Sequence, residues 1–199
     1  MSTTTSGSSS SSSLNLDNIT LQRVTSEAGA LSAPIKAGSL WAPHGAVVFV
    51  VRRPGCVLCR EEAMDLSTQL LPQLRAGGKP RPKLVAVVAE TTSVDGFLEA
   101  FGEKGGETQT YLDAERGFQV ALGDRWLGLQ GLLYPSVWKN GNRAQTKYPE
   151  LQGDLKGEGR RLGGLLVVDS KGQVQYSYLE KVFGDHAPME EVVSAVEKL

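Results

Sequence analysis

This sequence has few cysteines and histidines, almost no net charge and no long apolar segment. Its 199 residues include two cysteines and two histidines, and the formal net charge is -1. This charge gives no broad electrostatic attraction for nucleic acid. Two cysteines in one motif argue against a secreted fold stapled by disulfides and favour a reducing compartment. No apolar run approaches the ~20 residues of a membrane span, and no secretory segment follows Met1, so we expect a soluble cytoplasmic protein.

The N-terminus has a strongly biased composition. Residues 2–13 are all Ser or Thr except Gly7. Such a segment cannot bury apolar surface, so we predict a disordered tail at 1–16 and one domain at 17–199. A Ser-rich start without acidic residues also suits a transit peptide to a plastid or another organelle, although the first arginine is Arg23.

Strands and helices alternate along the rest of the chain. Apolar patterns predict strands at 19–24, 47–51, 83–90, 108–112, 164–169 and 173–179, and helices at 93–101, 114–122 and 188–199. Another helix follows the strand at 47–51, with Pro72 kinking it or closing it early. Two buried strands around that helix predict a parallel βαβ unit. The full order predicts an α/β, thioredoxin-like fold with a central mixed β-sheet flanked by helices.

Three connections carry further expectations. The strand at 108–112 is predicted to lie at the sheet edge, and Ser93 is predicted to cap the helix at 93–101. The strands at 164–169 and 173–179 are predicted to form an antiparallel hairpin. Residues 124–161 sustain no period, so we interpret them as an insertion or a lid.

The most informative stretch joins a buried strand to a helix. After the strand at 47–51 comes a short turn, and Cys56-Val57-Leu58-Cys59 opens the helix. One helical turn brings two such sulfurs within bridging distance, and the free backbone N–H groups at a helix start stabilise a thiolate. Arg52, Arg53 and Arg60 add positive charge nearby, which also lowers a thiol pKa.

Cys56 and Cys59 have three interpretations. In a redox pair, one thiolate attacks an S–S or O–O bond and the other closes a disulfide that releases the product. A zinc site needs two further ligands, and the two histidines, His44 and His186, are far away in sequence. Structural thiols would not need a helix start and an arginine pair. We favour the redox pair and expect no bound metal or cofactor.

Three segments carry a resemblance to a known family. The sequence Arg52-Arg53-x-Gly55-Cys56-x-x-Cys59-Arg60-Glu61-Glu62-Ala63 resembles the signature of the peroxiredoxin-like (AhpC/TSA) branch that includes prostamide/prostaglandin F synthase and selenoprotein U. Gly157-Glu158-Gly159-x-x-Leu162-Gly163-Gly164 and Phe183-Gly184-Asp185 agree with it, in the same order. The resemblance covers roughly residues 40–199.

This resemblance implies a thioredoxin fold and thiol-dependent antioxidant activity on a peroxide, with one subgroup reducing a prostaglandin endoperoxide. It further implies recycling by thioredoxin or another dithiol, with electrons ultimately from NADPH. The sequence also departs from typical peroxiredoxins. Their Pro-x-x-x-Thr-x-x-Cys loop is absent, and Gly163 stands where thioredoxins place a cis-proline. A redox-sensing interaction protein without significant turnover therefore remains an alternative.

The candidate site residues follow from these patterns. Cys56 and Cys59 are the catalytic pair; Cys56 attacks first by analogy with thioredoxins, whereas alignment with peroxiredoxins reverses the roles. Arg53 and Arg60 are expected to stabilise the thiolate or position the substrate. Gly163 is expected to allow close backbone approach to the cysteine loop. Glu62 is a candidate proton carrier on the same helix.

Overall fold

The computed structural model describes residues 15–25, 30–76, 81–103 and 108–199. The strands, in chain order, are β1 Thr20–Val24, β2 Ile35–Lys36, β3 Ala46–Val50, β4 Lys83–Val88, β5 Thr108–Leu112, β6 Gly164–Val168 and β7 Val174–Leu179. The helices are α1 Gly38–Trp41, α2 Val57–Asp65, α3 Leu71–Ala76, α4 Val94–Ala100, α5 Gly117–Ala121, α6 Pro135–Lys147 and α7 Met189–Val196. Most of the predicted tail, residues 1–14, lies outside these ranges, and Leu16 at its end is buried.

The strands of the described residues form one seven-stranded mixed sheet. Its order is β2-β1-β5-β4-β3-β6-β7. Strand β3 lies inside the sheet, parallel to β4 on one side and antiparallel to β6 on the other, and all five of its residues are buried. Parallel pairing of β3 with β4 across α2 confirms the predicted βαβ unit, and β6 with β7 confirms the hairpin. The predicted thioredoxin-like α/β architecture is therefore correct.

Two apolar layers cover the faces of this sheet. Alternate residues of β3 separate between them: Val47 and Phe49 pack on the side of α2, whereas Val48 and Val50 pack on the other side. The α2 side also receives residues of α4 and α7, and the other side receives Trp41 and Phe118. This alternation is the period of two that a strand imposes on its side chains.

The helix after β3 is longer and less regular than predicted. A π-helical turn at Leu66–Leu70 joins α2 to α3, and the backbone N–H of Leu71 bonds to the carbonyl of Leu66. The helix therefore runs through Pro72 to Ala76 instead of closing early. The wider turn just before Pro72 lies where the proline ring would otherwise meet the preceding carbonyls.

Two expectations were wrong, those for β5 and Ser93. Strand β5 is internal, because β1 pairs with it on the side away from β4. Residues 124–161 are more regular than expected, with a 3₁₀ turn at Leu129–Leu133 and the 13-residue helix α6, and their role as an insertion or a lid stays a prediction. Ser93 occupies the position before α4 in a left-handed conformation and makes no side-chain cap hydrogen bond.

Among the described residues, no helix has both the length and the hydropathy of a membrane span.

Candidate dithiol site

The cysteine pair lies where strand β3 leads into α2. Cys56 is the N-cap residue of α2 and has an extended backbone, and the N–H of Arg60 bonds to its carbonyl at 3.0 Å. Cys59 follows in the first turn. Both cysteines are free thiols, and they are 6% and 2% exposed, respectively. Strand β3 and the start of α2 thus bring both sulfurs to one buried point.

The two sulfurs have opposite electrostatic character. A hydrogen bond from the Cys59 thiol is the main reason that the pKa of Cys56 is held well below its usual value, and the charge of Arg52 adds to it. Backbone hydrogen bonds from Cys59 and Leu58 act in the same direction, as expected at a helix N-terminus. The same sulfur–sulfur contact, together with burial, raises the pKa of Cys59. The arrangement favours a Cys56 thiolate beside a Cys59 thiol.

Arg52 is the cation that touches the pair. Its Nη2 donates to the Cys56 sulfur at 2.5 Å, and its Nη1 donates to the carbonyl of Gly159 at 2.7 Å. The guanidinium lies 4.4 Å from the centre of the Phe183 ring and is almost fully buried. From the sequence, Arg53 and Arg60 were expected to stabilise the thiolate, because no pattern in the turn after β3 shows which of two adjacent arginines faces the sulfurs.

Arg53 and Arg60 instead bind a strap, which we define as residues 152–160, that crosses the cysteine turn. Arg53 donates to the carbonyl of Leu155 at 3.1 Å, and Arg60 donates to that of Gln152 at 2.6 Å. The backbone N–H of Asp154 bonds to the turn at 2.7 Å. Among the described hydrogen bonds, neither guanidinium reaches a sulfur; a role of either in substrate positioning stays a prediction.

Gly163 lies against the strand that leads to the cysteines. A Cβ atom here would overlap the carbonyl oxygen of Val50, so a glycine is required by close approach. Its N–H donates to Oε2 of Glu180 at 2.8 Å. Glu180 follows β7 and is 3% exposed, and burial raises its pKa to about 7. Sequence reasoning missed Glu180, although the period of β7 places it on the face of Tyr176 and Tyr178, the less exposed face.

The remaining candidates are Glu62, further along α2, and the two histidines, which lie outside that helix. Glu62 is buried, and burial followed by the charge of Glu180 raises its pKa well above the usual value. His186 contacts Arg143 at 3.2 Å and Glu62 at 3.8 Å, and burial lowers its pKa to about 4. His44 lies before β3, at the end of that strand opposite to the cysteines. In the described part of the chain, no metal-ligand cluster of three or more side chains includes either cysteine.

Fold and site together define a class: a thioredoxin-fold protein with a buried, reduced CxxC pair at the start of its first long helix. Comparison with known proteins agrees. A sequence model described as "AhpC/TSA antioxidant enzyme" matches residues 65–182. Peroxiredoxin-like 2A from Xenopus laevis is 41% identical over 82% of this chain and 68% of its own length. The human protein of that name is 40% identical with the same coverage. The chain belongs to the AhpC/TSA antioxidant family, as the resemblance indicated.

Solved structures agree on the fold. Reduced Prx3 in complex with H2O2 from Vibrio vulnificus superposes with a TM-score of 0.60 over 91% of this chain and 95% of the other, at 19% identity. The bacterioferritin comigratory protein of Xanthomonas campestris gives a TM-score of 0.56 over 92% of each chain, at 16% identity. The family match begins after Cys59, so the chemistry of the cysteines has to be argued from the site itself.

Proposed function

We propose that this protein is a thiol-dependent antioxidant oxidoreductase that reduces a peroxide with Cys56 and Cys59. One observation carries the proposal: the Cys56 sulfur receives hydrogen bonds from Arg52 and from the Cys59 thiol at a helix start, which lowers its pKa. A thiolate is the form of cysteine that attacks an O–O bond. Family membership supports the same class of activity.

The reaction divides between the two cysteines. The Cys56 thiolate attacks the O–O bond, forms a sulfenic acid and releases an alcohol or water. Cys59 then condenses with the sulfenic acid, which yields a disulfide and water. A dithiol protein of the thioredoxin type, itself reduced with electrons from NADPH, restores the two thiols. Since Cys56 has the lower pKa, the thioredoxin-like order, with Cys56 first, is the one we adopt.

The test is peroxide consumption with site-resolved oxidation. The full-length protein is mixed with hydrogen peroxide, alkyl and lipid hydroperoxides and a prostaglandin endoperoxide, with thioredoxin, its reductase and NADPH. We expect NADPH consumption with at least one substrate, and mass spectrometry should find a Cys56–Cys59 disulfide. Cys56→Ser should not react, whereas Cys59→Ser should react once and keep a sulfenic acid at Cys56. Full turnover in both single variants would overturn the proposal.

Burial of both sulfurs favours one alternative, a redox-sensing interaction protein. With the strap in place, peroxide has little access to either sulfur. This alternative predicts slow oxidation to the same disulfide, no sustained NADPH consumption, and a partner whose binding depends on oxidation. The endoperoxide alternative called for an apolar cavity beside the cysteines. A cavity of about 820 Å³ with both apolar and polar lining residues, among them Pro43, Leu70 and Glu197, lies near the opposite end of β3, and so gives that alternative no support.

A further inference from the structure

Arg52 is a buried cation with one short contact to an ionisable sulfur. Its described polar contacts are the sulfurs of Cys56 and Cys59 and the uncharged carbonyl of Gly159, and an aromatic ring covers its plane. A buried charge without an opposite charge nearby is strongly destabilising. In the reduced protein, the Cys56 thiolate supplies the opposite charge.

Formation of a disulfide removes that charge. Neither sulfur of a Cys56–Cys59 disulfide is ionised, so Arg52 would be left buried without a thiolate. Another group has to provide the negative charge in the oxidised protein, or the oxidised state is penalised.

Glu180 is placed to do this. Its carboxyl group accepts a hydrogen bond from the N–H of Gly163. Gly163 in turn packs against the backbone carbonyl of Val50, two residues before Arg52. The charge of Arg52 acts to lower the pKa of Glu180, whereas burial and the charge on Cys56 act to raise it. Three other titratable groups interact with Glu180 through their charge: Cys59, Glu62 and Asp185. In addition, the Arg125 side chain donates a hydrogen bond to the backbone carbonyl of Glu180.

We propose that Glu180 and Cys56 share a single negative charge opposite Arg52, so that Glu180 is protonated in the dithiol form and ionised in the disulfide form. The inference rests on the dithiol chemistry proposed above and adds a redox-linked proton to it. Glu180 is a positioning residue in this scheme, because it acts on the sulfurs through Arg52. The pKa of Glu180, about 7 in the reduced protein, fits this scheme, since loss of the thiolate removes one of the causes that raise it.

The step balances. The Cys56 thiolate, the Cys59 thiol, a hydroperoxide and the protonated Glu180 carboxyl yield a disulfide, an alcohol, water and the Glu180 carboxylate. The two sulfurs lose two electrons in total, and the O–O bond gains them. The thiolate begins with one negative charge and the carboxylate ends with it, so the surroundings of Arg52 keep the same net charge throughout the reaction.

Proton counting gives a test that does not need peroxide. The protein is equilibrated with reduced and oxidised glutathione at several pH values below about 7, the pKa of Glu180. Wild-type protein should release two protons on oxidation, as two glutathione thiols do, so its equilibrium constant with glutathione should not vary with pH. Glu180→Gln should release one proton, so its constant should fall about tenfold for each unit of rising pH. The same pH slope in both proteins would overturn the inference.

Controls separate this role from a structural one. Glutamine keeps an oxygen that accepts from the Gly163 N–H, so the local hydrogen bond is retained in Glu180→Gln. Glu180→Asp keeps a titratable group and should restore the wild-type slope. Glu103→Gln removes a different carboxyl group with a raised pKa, one that forms an ion pair with Arg23 and does not contact Arg52 or the cysteines in the described structure. This variant should not change the slope.

A second measurement uses the unmodified protein, in case the variant fails to fold. The infrared difference spectrum between reduced and oxidised protein should lose a protonated carboxyl C=O band on oxidation, and absence of that loss would overturn the inference. If glutathione forms no disulfide at all, the dithiol function falls with it. If the disulfide forms without the extra proton, only the role of Glu180 falls.

Discussion

Replacement of Arg52 by methionine should raise the pKa of Cys56. The change removes the guanidinium that donates to the Cys56 sulfur at 2.5 Å. Methionine retains an unbranched side chain that can pack against the ring of Phe183, so the perturbation is mainly electrostatic. The hydrogen bonds from Cys59 and from the helix backbone to the sulfur remain.

The magnitude follows from the type of bond that is lost. A hydrogen bond to a charged group contributes about 1.5–3 kcal/mol. Since one pKa unit corresponds to about 1.4 kcal/mol, the pKa of Cys56 should rise by about one to two units. Where the raised pKa exceeds the assay pH, the thiolate fraction and the rate of attack on an electrophile should fall about tenfold for each unit.

The pKa is measured from the pH dependence of iodoacetamide alkylation, with Cys56 and Cys59 resolved by mass spectrometry. Arg53→Met is the matched control, because Arg53 is adjacent and its described side-chain hydrogen bond is to Leu155. It should leave the pKa of Cys56 nearly unchanged. An unaltered pKa in Arg52→Met, or an equal rise in Arg53→Met, would refute the assignment of Arg52 as the cation of the dithiol.

Three further changes test the surroundings of the site. Arg60→Ala removes three hydrogen bonds to backbone carbonyls, so we expect a loss of about 2–4 kcal/mol in the free energy of unfolding and faster cysteine alkylation. Gly163→Ala forces a methyl group onto Val50 and should cost about 1–3 kcal/mol by urea denaturation. For His186, the folded pKa of about 4 lies below the ordinary histidine pKa of 6.5, so stability should decline as pH falls from 6.5 to 4. His186→Asn should flatten that decline, which is worth up to about 3 kcal/mol.

Each of these has a contrary outcome. Unchanged alkylation in Arg60→Ala would mean that the strap does not limit access to the sulfurs. A fully stable Gly163→Ala would mean that the contact with Val50 is easily relieved. Equal acid sensitivity of His186→Asn and wild type would assign the decline to other groups.

Local sequence signals were sufficient wherever a structure depends on near neighbours. Five consecutive buried residues marked β3, and the cysteine spacing at its end marked the helix start, because both are set within a few residues. Helix α6 was missed for a related reason. Its sequence PSVWKNGNRAQTK has one fully buried residue, Ala144, so it carries no continuous apolar stripe. Its position against α2 is set by contacts such as that between Arg143 and Glu61, far apart in the chain.

Long-range pairing explains the other differences. Strand β5 is internal because β1, more than eighty residues earlier, pairs with its outer side, and nothing within β5 records that partner. Likewise, Glu180 follows the alternating strand β7, and this alternation by itself is only a weak indication that the glutamate is buried. The Gly163 N–H that accommodates the carboxyl of Glu180 becomes its neighbour only when β6 and β7 pair.

The sequence by itself determined the class of fold and the place of the dithiol, because strand period, helix start and cysteine spacing are local properties of the chain. Only the tertiary structure decided that Arg52 contacts the sulfur and that Arg53 and Arg60 hold the strap. The tertiary structure also decided that the carboxyl group buried near the dithiol is that of Glu180. These are choices among chemically equivalent side chains. Such choices depend on distances of a few ångströms between segments that are about a hundred residues apart, such as Arg52 and Gly159, and no local pattern encodes those distances.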